Sequence, residues 1–424
     1  MTRIVVQAFG THGDVAPFTG LGTRLRERLG VDVAIAAQLP YRELITRAGL
    51  EFRPLPKDTE RDTRESGYGQ ALIDGDRMIP SKAMMSAMRE DLAGVGEAMA
   101  QTSGDADLLV LGGPVGSLLG YHVAEGLGIP SVGALLQPAS PTADFAPPPL
   151  TTRSFGRLGN RLVWRAAGVG ERVYAPLIDN LRSNLGLPSC SRRDYQAARA
   201  ARWPILYGFS PHVVPRPKDW RPGLDVTGYW WPATDPDWRP PSHLTQFLDA
   251  GPPPVFVGFG STATAHSAEL SEIVARALRI AGVRGVIQSG WAGLHADGDD
   301  ICTVDAVPHA WLFPRMAAVV HHGGAGTSAA ALRAGRPSVP VAGIMDQPFW
   351  SSRLHMLGAA TAPLRRIGLT AEGLAESISA ASAGTAYHTA AQHYSTLIAE
   401  EGGADQAVRI IAERLDTPLI TGGA

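Results

Sequence analysis

The sequence predicts an α/β protein with two doubly wound parallel sheets. Three observations predict this class: a length that suits more than one domain, short apolar runs alternating with amphipathic stretches, and one proline-rich interruption near the middle. The chain has 424 residues, and a single domain usually holds about 100–200. Each half is therefore long enough to bury a core of its own.

Strands are predicted where Val, Ile, Leu and Ala run almost without interruption, because strands of a parallel sheet are buried on both faces. The predicted strands are Ile4–Phe9, Val31–Ala36, Leu108–Leu111, Ser131–Leu135 and Ile205–Phe209 in the first half, and Val255–Phe259, Gly285–Gln288, Ala317–Val320 and Ser338–Val341 in the second. Helical patterns lie between them, as at Leu21–Leu29, Val115–Leu127 and Leu270–Ala281. This alternation predicts helices on both faces of each sheet.

Prolines set the predicted domain organisation. Their density between Pro211 and Pro254 excludes a regular helix or a central strand and predicts an extended linker. The predicted segments are a first sheet domain over 1–215, a linker over 216–252, a second sheet domain over 253–400, and, over 401–424, a final helix that packs back on the first domain, followed by a tail. A ligand site is expected in the cleft between the two sheet domains.

Composition narrows the function classes. The net charge of −2 gives no sequence-wide attraction for nucleic acid, and two cysteines are too few for a disulfide framework or a metal cluster. The N-terminal apolar run is too short for a signal peptide, and no run approaches the roughly 18 apolar residues of a membrane span. We expect a cytoplasmic protein with no metal site.

A glycine-rich turn over residues 321–327, between a predicted strand and a predicted helix, is the most informative segment. Its glycines, Gly324 and Gly326 among them, allow backbone N–H groups to approach a phosphate at the positive end of the helix. We expect His322 to donate a hydrogen bond to a phosphate oxygen. Thr327 and Ser328 are expected to cap the helix.

The same turn supports an alternative, because Gly324-x-Gly326-x-x-Ala329 matches the dinucleotide fingerprint and Asp346 follows at about the expected distance. An NAD-type oxidoreductase is therefore the competing enzyme class. Two features argue against it. The motif stands in the second half although this fingerprint normally opens its domain, and two histidines crowd the strand end.

Other loops that follow predicted strands carry polar or glycine-rich turns, where ligands of open α/β sheets bind. Ser261 and Thr262 follow the first strand of the second domain, and their hydroxyl and backbone donors suit a diphosphate. Trp291 lies in the loop after the next strand. Asp346 and Gln347 follow a later strand and suit vicinal sugar hydroxyls, since Asp accepts hydrogen bonds and Gln both donates and accepts.

The loop after the first strand carries His12, Gly13 and Asp14. Asp14 can take the proton of an attacking hydroxyl, or His12 can do so with Asp14 orienting it. In a third interpretation Asp14 caps a helix that begins near Pro17 and does no chemistry.

Three pieces in fixed order carry a family resemblance: Val307-Pro-His-Ala-Trp-Leu-Phe-Pro314, His321-His-Gly-Gly-Ala-Gly-Thr327, and Asp346-Gln347. With Gly10-Thr-His-Gly-Asp-Val-Ala-Pro17, they resemble GT-B glycosyltransferases of the UDP-glycosyltransferase family, in its bacterial natural-product and sterol glucosyltransferase branches. The resemblance implies two Rossmann-like domains that face each other across a cleft.

The resemblance also implies residue roles. Val307 would hold the nucleobase through its backbone, and Asp14 stands where the plant enzymes have their catalytic His. His322, Ser261 and Thr327 would contact the diphosphate. Asp346 and Gln347 would bind the donor sugar.

The implied reaction is an inverting, metal-independent transfer from a UDP- or dTDP-sugar to a hydroxyl of a lipophilic acceptor such as a polyketide, macrolide or sterol-like molecule. The nucleotide sugar is a substrate, so no cofactor is expected. The alternative is a non-catalytic helper or binding protein that keeps the cleft.

Two segments of the first half remain open to interpretation. Residues 67–100 carry Met78, Met84, Met85, Met88 and Met99, which suit either an adaptable acceptor pocket or an ordinary core. Arginines recur every four residues from Arg153 to Arg165, with Arg172 beyond. Over 151–172 this pattern suits either transient contact with an anionic membrane or a solvated helix face.

Overall fold

The structure, a computed structural model, describes residues 2–65, 82–260, 267–290, 293–296 and 298–416. Two parallel sheets form its frame. The first has the strand order β3-β2-β1-β4-β5-β6-β7 and the second β10-β9-β8-β11-β12-β13. The strands are β1 (Arg3–Ala8), β2 (Asp32–Gln38), β3 (Glu51–Leu55), β4 (Leu108–Gly112), β5 (Ser131–Leu135), β6 (Ile205–Tyr207), β7 (Leu224–Val226), β8 (Val255–Gly258), β9 (Gly285–Gln288), β10 (Ile301–Val304), β11 (Ala318–His321), β12 (Ser338–Ala342) and β13 (Leu364–Arg365).

Helices connect the strands, and three 3₁₀ segments (Leu39–Tyr41, Gly168–Tyr174 and Phe313–Arg315) lie between them. The helices are α1 (His12–Leu29), α2 (Arg42–Arg47), α3 (Thr59–Glu65), α4 (Lys82–Asp91), α5 (Val95–Gln101), α6 (Gly113–Leu127), α7 (Gly156–Ala167), α8 (Ala175–Asn184), α9 (Arg192–Arg202), α10 (Ser242–Asp249), α11 (Ser267–Ile280), α12 (His309–Leu312), α13 (Ala325–Arg333), α14 (Gln347–Met356), α15 (Ala371–Ala383), α16 (Thr385–Glu400) and α17 (Gly403–Leu415). The predicted fold class is confirmed.

Both sheets reverse their strand order at one point. In the first sheet the reversal falls between β1 and β4, where Ala8 pairs with Gly112, and in the second it falls between β8 and β11, where Gly258 pairs with His321. Ligands of open α/β sheets bind outside the carboxyl ends of the strands at such switch points. The fold therefore indicates the loops after β1 and β11 as the place where a ligand binds.

The central strands are buried as a parallel sheet requires. Ile4, Val5 and Val6 of β1 and Val319 and Val320 of β11 have no exposed surface. Burial on both faces explains why these strands read as continuous apolar runs and were predicted from the sequence.

Four strands that were not predicted, β3, β7, β10 and β13, lie at the sheet edges. In β3, Glu51 is exposed and Arg53 and Pro54 interrupt the apolar run; Ile301–Val304 and Leu364–Arg365 end the second sheet on its two sides. An edge strand tolerates Pro and polar residues because one of its sides is unpaired.

The range 216–252 is not wholly a linker, which corrects the predicted boundaries. Leu224–Val226 within it pairs with Ile205–Tyr207 as the last strand of the first sheet, and Ser242–Asp249 forms α10. Neither element contains a proline, and Pro241 immediately precedes α10, where a proline is tolerated. The prolines thus lie at the ends of these elements and do not prevent the elements from forming.

The last helix returns to the first half of the chain. Val408 and Ile411 of α17 belong to the same buried cluster as Leu21 and Leu25 of α1. The two chain segments that cross between the halves are joined directly, since the Tyr229 N–H donates to Glu401 Oε1 at 2.9 Å.

Candidate active site

The loop after β1 folds around one carboxylate. Asp14 accepts hydrogen bonds from the backbone N–H of Thr11 at 2.8 Å and from its hydroxyl at 3.1 Å. Gly10 has a φ of 151°, and a Cβ there would lie 2.3 Å from Asp14 Oδ2. Both the conformation and the space therefore require glycine at this position.

Burial raises the pKa of Asp14 to about 6, the hydrogen bonds from Thr11 oppose the shift, and the negative charges of Asp346 and Glu60 add to it. Helix α1 begins at His12, not near Pro17 as predicted. Asp14 stands in its first turn and forms a capping box with Thr11. Capping and proton transfer are thus compatible roles for this carboxylate.

His12 and Asp14 do not form the dyad in which one orients the other. They are two positions apart on α1, so they leave the helix on different sides, and no hydrogen bond joins them in the part of the chain that the structure describes. The His12 side chain is exposed. Its backbone N–H donates to Glu60 Oε1 at 2.8 Å.

Glu60, on α3, is a site residue that the sequence did not indicate. Its side chain is buried, and it lies beside the Tyr41 hydroxyl, which donates to Gly10 O at 3.3 Å. Although the His12 side chain keeps exposed surface, partial desolvation by the protein atoms around it lowers its pKa, and the charge of Glu60 opposes that shift. Nothing in a polar helix 48 residues downstream signals this contact, because the approach of α3 to the β1 loop is tertiary.

The loop after β11 is built on a buried histidine and a glycine. His321 has no exposed surface, and its Nδ1 accepts from the Gly323 N–H at 3.0 Å. Gly323 has a φ of 83°, and a Cβ there would lie 2.2 Å from Ser351 Oγ. Gly323 is therefore the most constrained glycine of the turn, although it is not one of the two glycines, Gly324 and Gly326, that match the dinucleotide fingerprint.

Helix α13 begins with an open N-terminus. Its N-cap is Gly324, which provides no side-chain cap. The prediction that Thr327 and Ser328 cap this helix is wrong, since both lie inside its first turn. The first N–H groups of a helix have no intrahelical acceptor, so this end suits an anion.

His322 fits between two glycines. A Cβ on Gly260 would lie 2.7 Å from its Cε1, and a Cβ on Gly324 would lie 2.4 Å from its Nε2. Gly324 has an ordinary φ of −64°, so the imidazole and not the backbone conformation excludes a side chain there. Burial and the charge of Arg366 lower the pKa of His322 to about 4. The ring is neutral at pH 7 and can act as an N–H donor.

The remaining predicted residues of the glycine loop and its neighbours range from exposed to buried. Gly326 is exposed, and a Cβ there would meet nothing within 4 Å. Thr327 is half-buried in the first turn of α13, and Gly13 is exposed in the first turn of α1. The Val307 side chain is buried in a cluster with Phe313, which leaves only its backbone for a ligand.

Asp346 and Gln347 form the start of α14 and are each partly engaged. Asp346 Oδ2 accepts from the Trp350 indole N–H at 2.7 Å, and burial raises the pKa of Asp346. Gln347 Oε1 accepts from the N–H groups of Gly343 at 3.0 Å and Ile344 at 3.3 Å. The Gln347 carbonyl thus holds its own loop, and its amide N–H₂ is the group left to face a ligand.

The two loops meet across the cleft. Asp346 acts electrostatically on Asp14. Burial, together with the nearby His12 and His322, lowers the pKa of His309 to about 4. His309 also stacks on Phe313 with ring centroids 4.2 Å apart. The sequence contains His309 inside the quoted Val307–Pro314 piece, yet nothing in the spacing showed that it lies with the other two imidazoles.

Several predicted residues lie outside the described residues. These are Ser261, Thr262 and Trp291, with Met78 of the methionine group. Met99 is buried in the core, whereas Met85 and Met88 are half-buried on α4.

The described residues contain neither a cluster of metal-ligating side chains nor a membrane-spanning helix. Within 2–65, 82–260, 267–290, 293–296 and 298–416, no group of three His, Cys, Asp or Glu side chains is arranged to hold a metal ion. None of the helices described there has the length and apolarity needed to cross a membrane.

Comparison with known proteins identifies the family. Residues 288–415 match the family model "Erythromycin biosynthesis protein CIII-like, C-terminal domain". The O-mycaminosyltylonolide 6-deoxyallosyltransferase of Streptomyces fradiae is 34% identical over 98% of this chain and 98% of its own length. A sterol 3-beta-glucosyltransferase of Arabidopsis thaliana is also 34% identical over 85% of the chain, which spans only 58% of that enzyme.

A solved structure extends the comparison to the fold. The glycosyltransferase SsfS6 of Streptomyces sp. SF2575, solved with thymidine diphosphate, superposes with a TM-score of 0.65 at 20% identity, covering 97% of this chain and all of that one. These relatives decide against the dinucleotide interpretation of the glycine turn. The chain therefore belongs to the UDP-glycosyltransferase family of GT-B glycosyltransferases.

Proposed function

We propose that the protein transfers a sugar, with inversion, from a UDP- or dTDP-sugar bound by the second half to a hydroxyl of a lipophilic small molecule held by the first half. The observation that carries this proposal is the position of Asp14: a carboxylate with a pKa of about 6, at the switch point of the first sheet and within electrostatic reach of Asp346, which follows β12 of the second sheet.

Donor binding is assigned to the loop after β11. The uncapped N-terminus of α13 and the neutral His322 imidazole supply N–H donors for the diphosphate. Asp346 and the Gln347 amide are assigned to the sugar hydroxyls, and the backbone near Val307 to the base. The thymidine diphosphate bound by the Streptomyces sp. SF2575 enzyme supports a nucleoside diphosphate donor.

Asp14 is assigned as the general base. A base works best when its pKa lies near the operating pH, because it is then ionised and still basic. It takes the proton of the acceptor hydroxyl as that oxygen bonds to the anomeric carbon. The bond from this carbon to the diphosphate breaks on the opposite face, and His322 with the α13 N–H groups stabilises the negative charge on the leaving group.

The relatives support an apolar acceptor. Their names specify a sterol in one case and a tylonolide macrolide in the other. Both are large apolar molecules with hydroxyl groups, so we assign this chemical class, and not a single compound, to the acceptor.

A thermal-shift series with UDP, dTDP, UDP-glucose, dTDP-glucose, NAD and NADP tests donor binding. Saturation at about 100 times Kd should stabilise the protein by about 2.7 kcal/mol. A shift with UDP or dTDP species that is reduced in His322→Ala supports the assignment; a shift with NAD alone would contradict it.

Turnover then separates an enzyme from a binding protein. Release of UDP or dTDP that depends on a sterol or macrolide aglycone supports catalysis, and the anomeric proton coupling of the product reports inversion. Donor binding without release across such a panel would favour the helper interpretation.

A further inference from the structure

The outer side of α7 carries a concentration of exposed apolar side chains. Leu158 is 77% exposed and Leu162 is 61% exposed. In the described residues, five of the eleven large hydrophobic side chains that are exposed fall between residues 150 and 169: Leu150, Phe155, Leu158, Leu162 and Val169. Isolated exposed leucines are normal on a protein surface, whereas a contiguous group indicates a contact surface.

Arginines run beside these leucines. Arg157, Arg161 and Arg165 follow one another every fourth residue, so they form a row along α7 next to the row of Leu158 and Leu162. Segment 151–175 contains five Arg and one Glu, although the whole chain has a net charge of −2. We call these two rows the basic-apolar face.

Part of this charge is unmatched by the protein. Arg157 pairs with Asp144 at 3.4 Å and Arg161 with Asp219 at 3.1 Å. Among the described residues, no acidic side chain forms a salt bridge with Arg165. The face therefore keeps a positive potential that an external anionic surface can meet.

The opposite side of α7 is fixed. The Trp164 indole N–H donates to Phe145 O at 2.8 Å, and the Asn160 amide donates to Ala143 O at 2.9 Å. Phe145 in turn packs against Phe349 of α14, with ring centroids 5.7 Å apart. The side of α7 opposite the basic-apolar face is therefore anchored to the segment around Phe145, which in turn contacts α14.

We propose that the basic-apolar face seats the protein on an anionic membrane surface, with α7 in the plane of the interface. Leucines enter the acyl boundary and arginines meet lipid phosphates in this arrangement, while the long Arg side chains lie along the apolar surface. The partner is a lipid surface because exposed leucines and positively charged arginines run side by side along the same helix, which matches the acyl chains and phosphates of an anionic bilayer. The proposal rests on the proposed function for its purpose, which is access to acceptors dissolved in the bilayer.

Vesicle co-sedimentation of the full chain tests it. Wild type should pellet with phosphatidylcholine vesicles containing about 30% phosphatidylglycerol and not with phosphatidylcholine alone, and binding should weaken as salt shortens the Debye length. Arg157→Gln with Arg165→Gln should weaken binding by about five-fold per arginine. Leu158→Ser with Leu162→Ser should weaken it by about ten-fold or more.

Matched controls change exposed residues elsewhere. Ile280→Ser with Met356→Ser replaces side chains that are 52% and 63% exposed, and Arg276→Gln replaces an exposed arginine paired with Glu372; neither should alter pelleting. Variants that pellet like wild type would overturn the proposal. Wild type that ignores both vesicle types, but self-associates through a contact abolished by the leucine variant, would replace the lipid surface with a protein partner.

The donor thermal shift, measured without lipid, separates this proposal from the proposed function. Both α7 variants should keep the wild-type shift with UDP or dTDP. Lipid binding without any nucleotide shift would contradict the donor assignment alone, and a nucleotide shift without lipid binding would contradict the basic-apolar face alone.

Discussion

The loops after β1 and after β11 have the same plan and opposite electrostatics. Each follows a central parallel strand at a switch point, turns on a glycine with positive φ, and enters a helix. The N-terminus of α1 is occupied by its own carboxylate, because Asp14 accepts from Thr11. The N-terminus of α13 has a glycine N-cap with no side-chain cap.

This difference assigns opposite tasks to one motif. A helix start that holds an internal carboxylate repels a phosphate, so the first loop suits a proton acceptor. An uncapped helix start beside a neutral imidazole attracts a phosphate, so the second suits a leaving group. One capping residue, more than the strand-turn-helix plan, decides which chemistry such a loop performs.

The largest expected effect is the loss of activity when Asp14, in the loop after β1, is replaced. Asp14→Asn should lower kcat by about 10²–10⁴-fold, since the general base is lost, while the nucleotide thermal shift stays at its wild-type size. In wild type, kcat/KM should fall about ten-fold per pH unit below about pH 6, where Asp14 becomes protonated. His12→Ala is the matched control and should retain activity within about ten-fold; an equal loss would transfer the base to His12.

Stability gives the same substitution a second readout. Asp14 has a folded-state pKa of about 6 against its usual 3.8, so its ionised form destabilises the native state. Asp14→Asn should therefore raise the free energy of unfolding by about 1–2 kcal/mol above pH 6, after allowance for partial exposure. The gain should shrink between pH 6 and 4 and vanish below that range, which denaturant melts at several pH values will test.

A smaller effect is expected in the second loop, where two glycines can be compared. Gly324→Ala should lower the melting temperature and reduce the nucleotide shift, because its Cβ would meet the His322 ring at 2.4 Å. Gly326→Ala meets no protein atom and should stabilise α13 by up to about 1 kcal/mol. Equal losses of melting temperature in the two variants would mean that the imidazole is not the constraint.

The smallest expected effect is a shift in the pH dependence of activity when Glu60, beside the loop after β1, loses its charge. Glu60→Gln removes a negative charge that raises the pKa of Asp14 and keeps an acceptor for the His12 N–H. The acid limb of kcat/KM should move to lower pH by about 0.5 unit. Glu43→Gln, on exposed α2, should leave the limb unchanged; an upward shift in Glu60→Gln would show that the limb does not report Asp14.

The sequence predicted the buried parts of this fold and the identity of the two central loops. Continuous apolar runs such as β1 and β11 report burial on both faces, and the glycine turn reports a helix start, so local patterns were sufficient. The edge strand Glu51–Leu55 was missed because its pairing on one side leaves the alternation weak. Thr327 and Ser328 were mistaken for caps because composition cannot fix where a helix begins.

Contacts between distant segments were beyond the sequence. Glu60 reaches the β1 loop, and His309 joins His12 and His322, only after the sheets are assembled. The strict glycine, Gly323, is set by Ser351 on another helix. Such positions depend on tertiary approach, for which one sequence carries no periodic signal.

The two neighbouring crossings between the halves have a consequence for exchanging parts between relatives. The chain leaves the first half near Tyr229 and returns near Gly403, and a Cβ on Gly403 would lie 2.8 Å from Tyr229 O. The hydrogen bond from the Tyr229 N–H to Glu401 and this close approach hold the two crossing segments side by side. A chimaera that takes its donor half from a relative must therefore keep α17 with the acceptor half, because a cut at the first crossing alone would strip a helix from the core that contains α1.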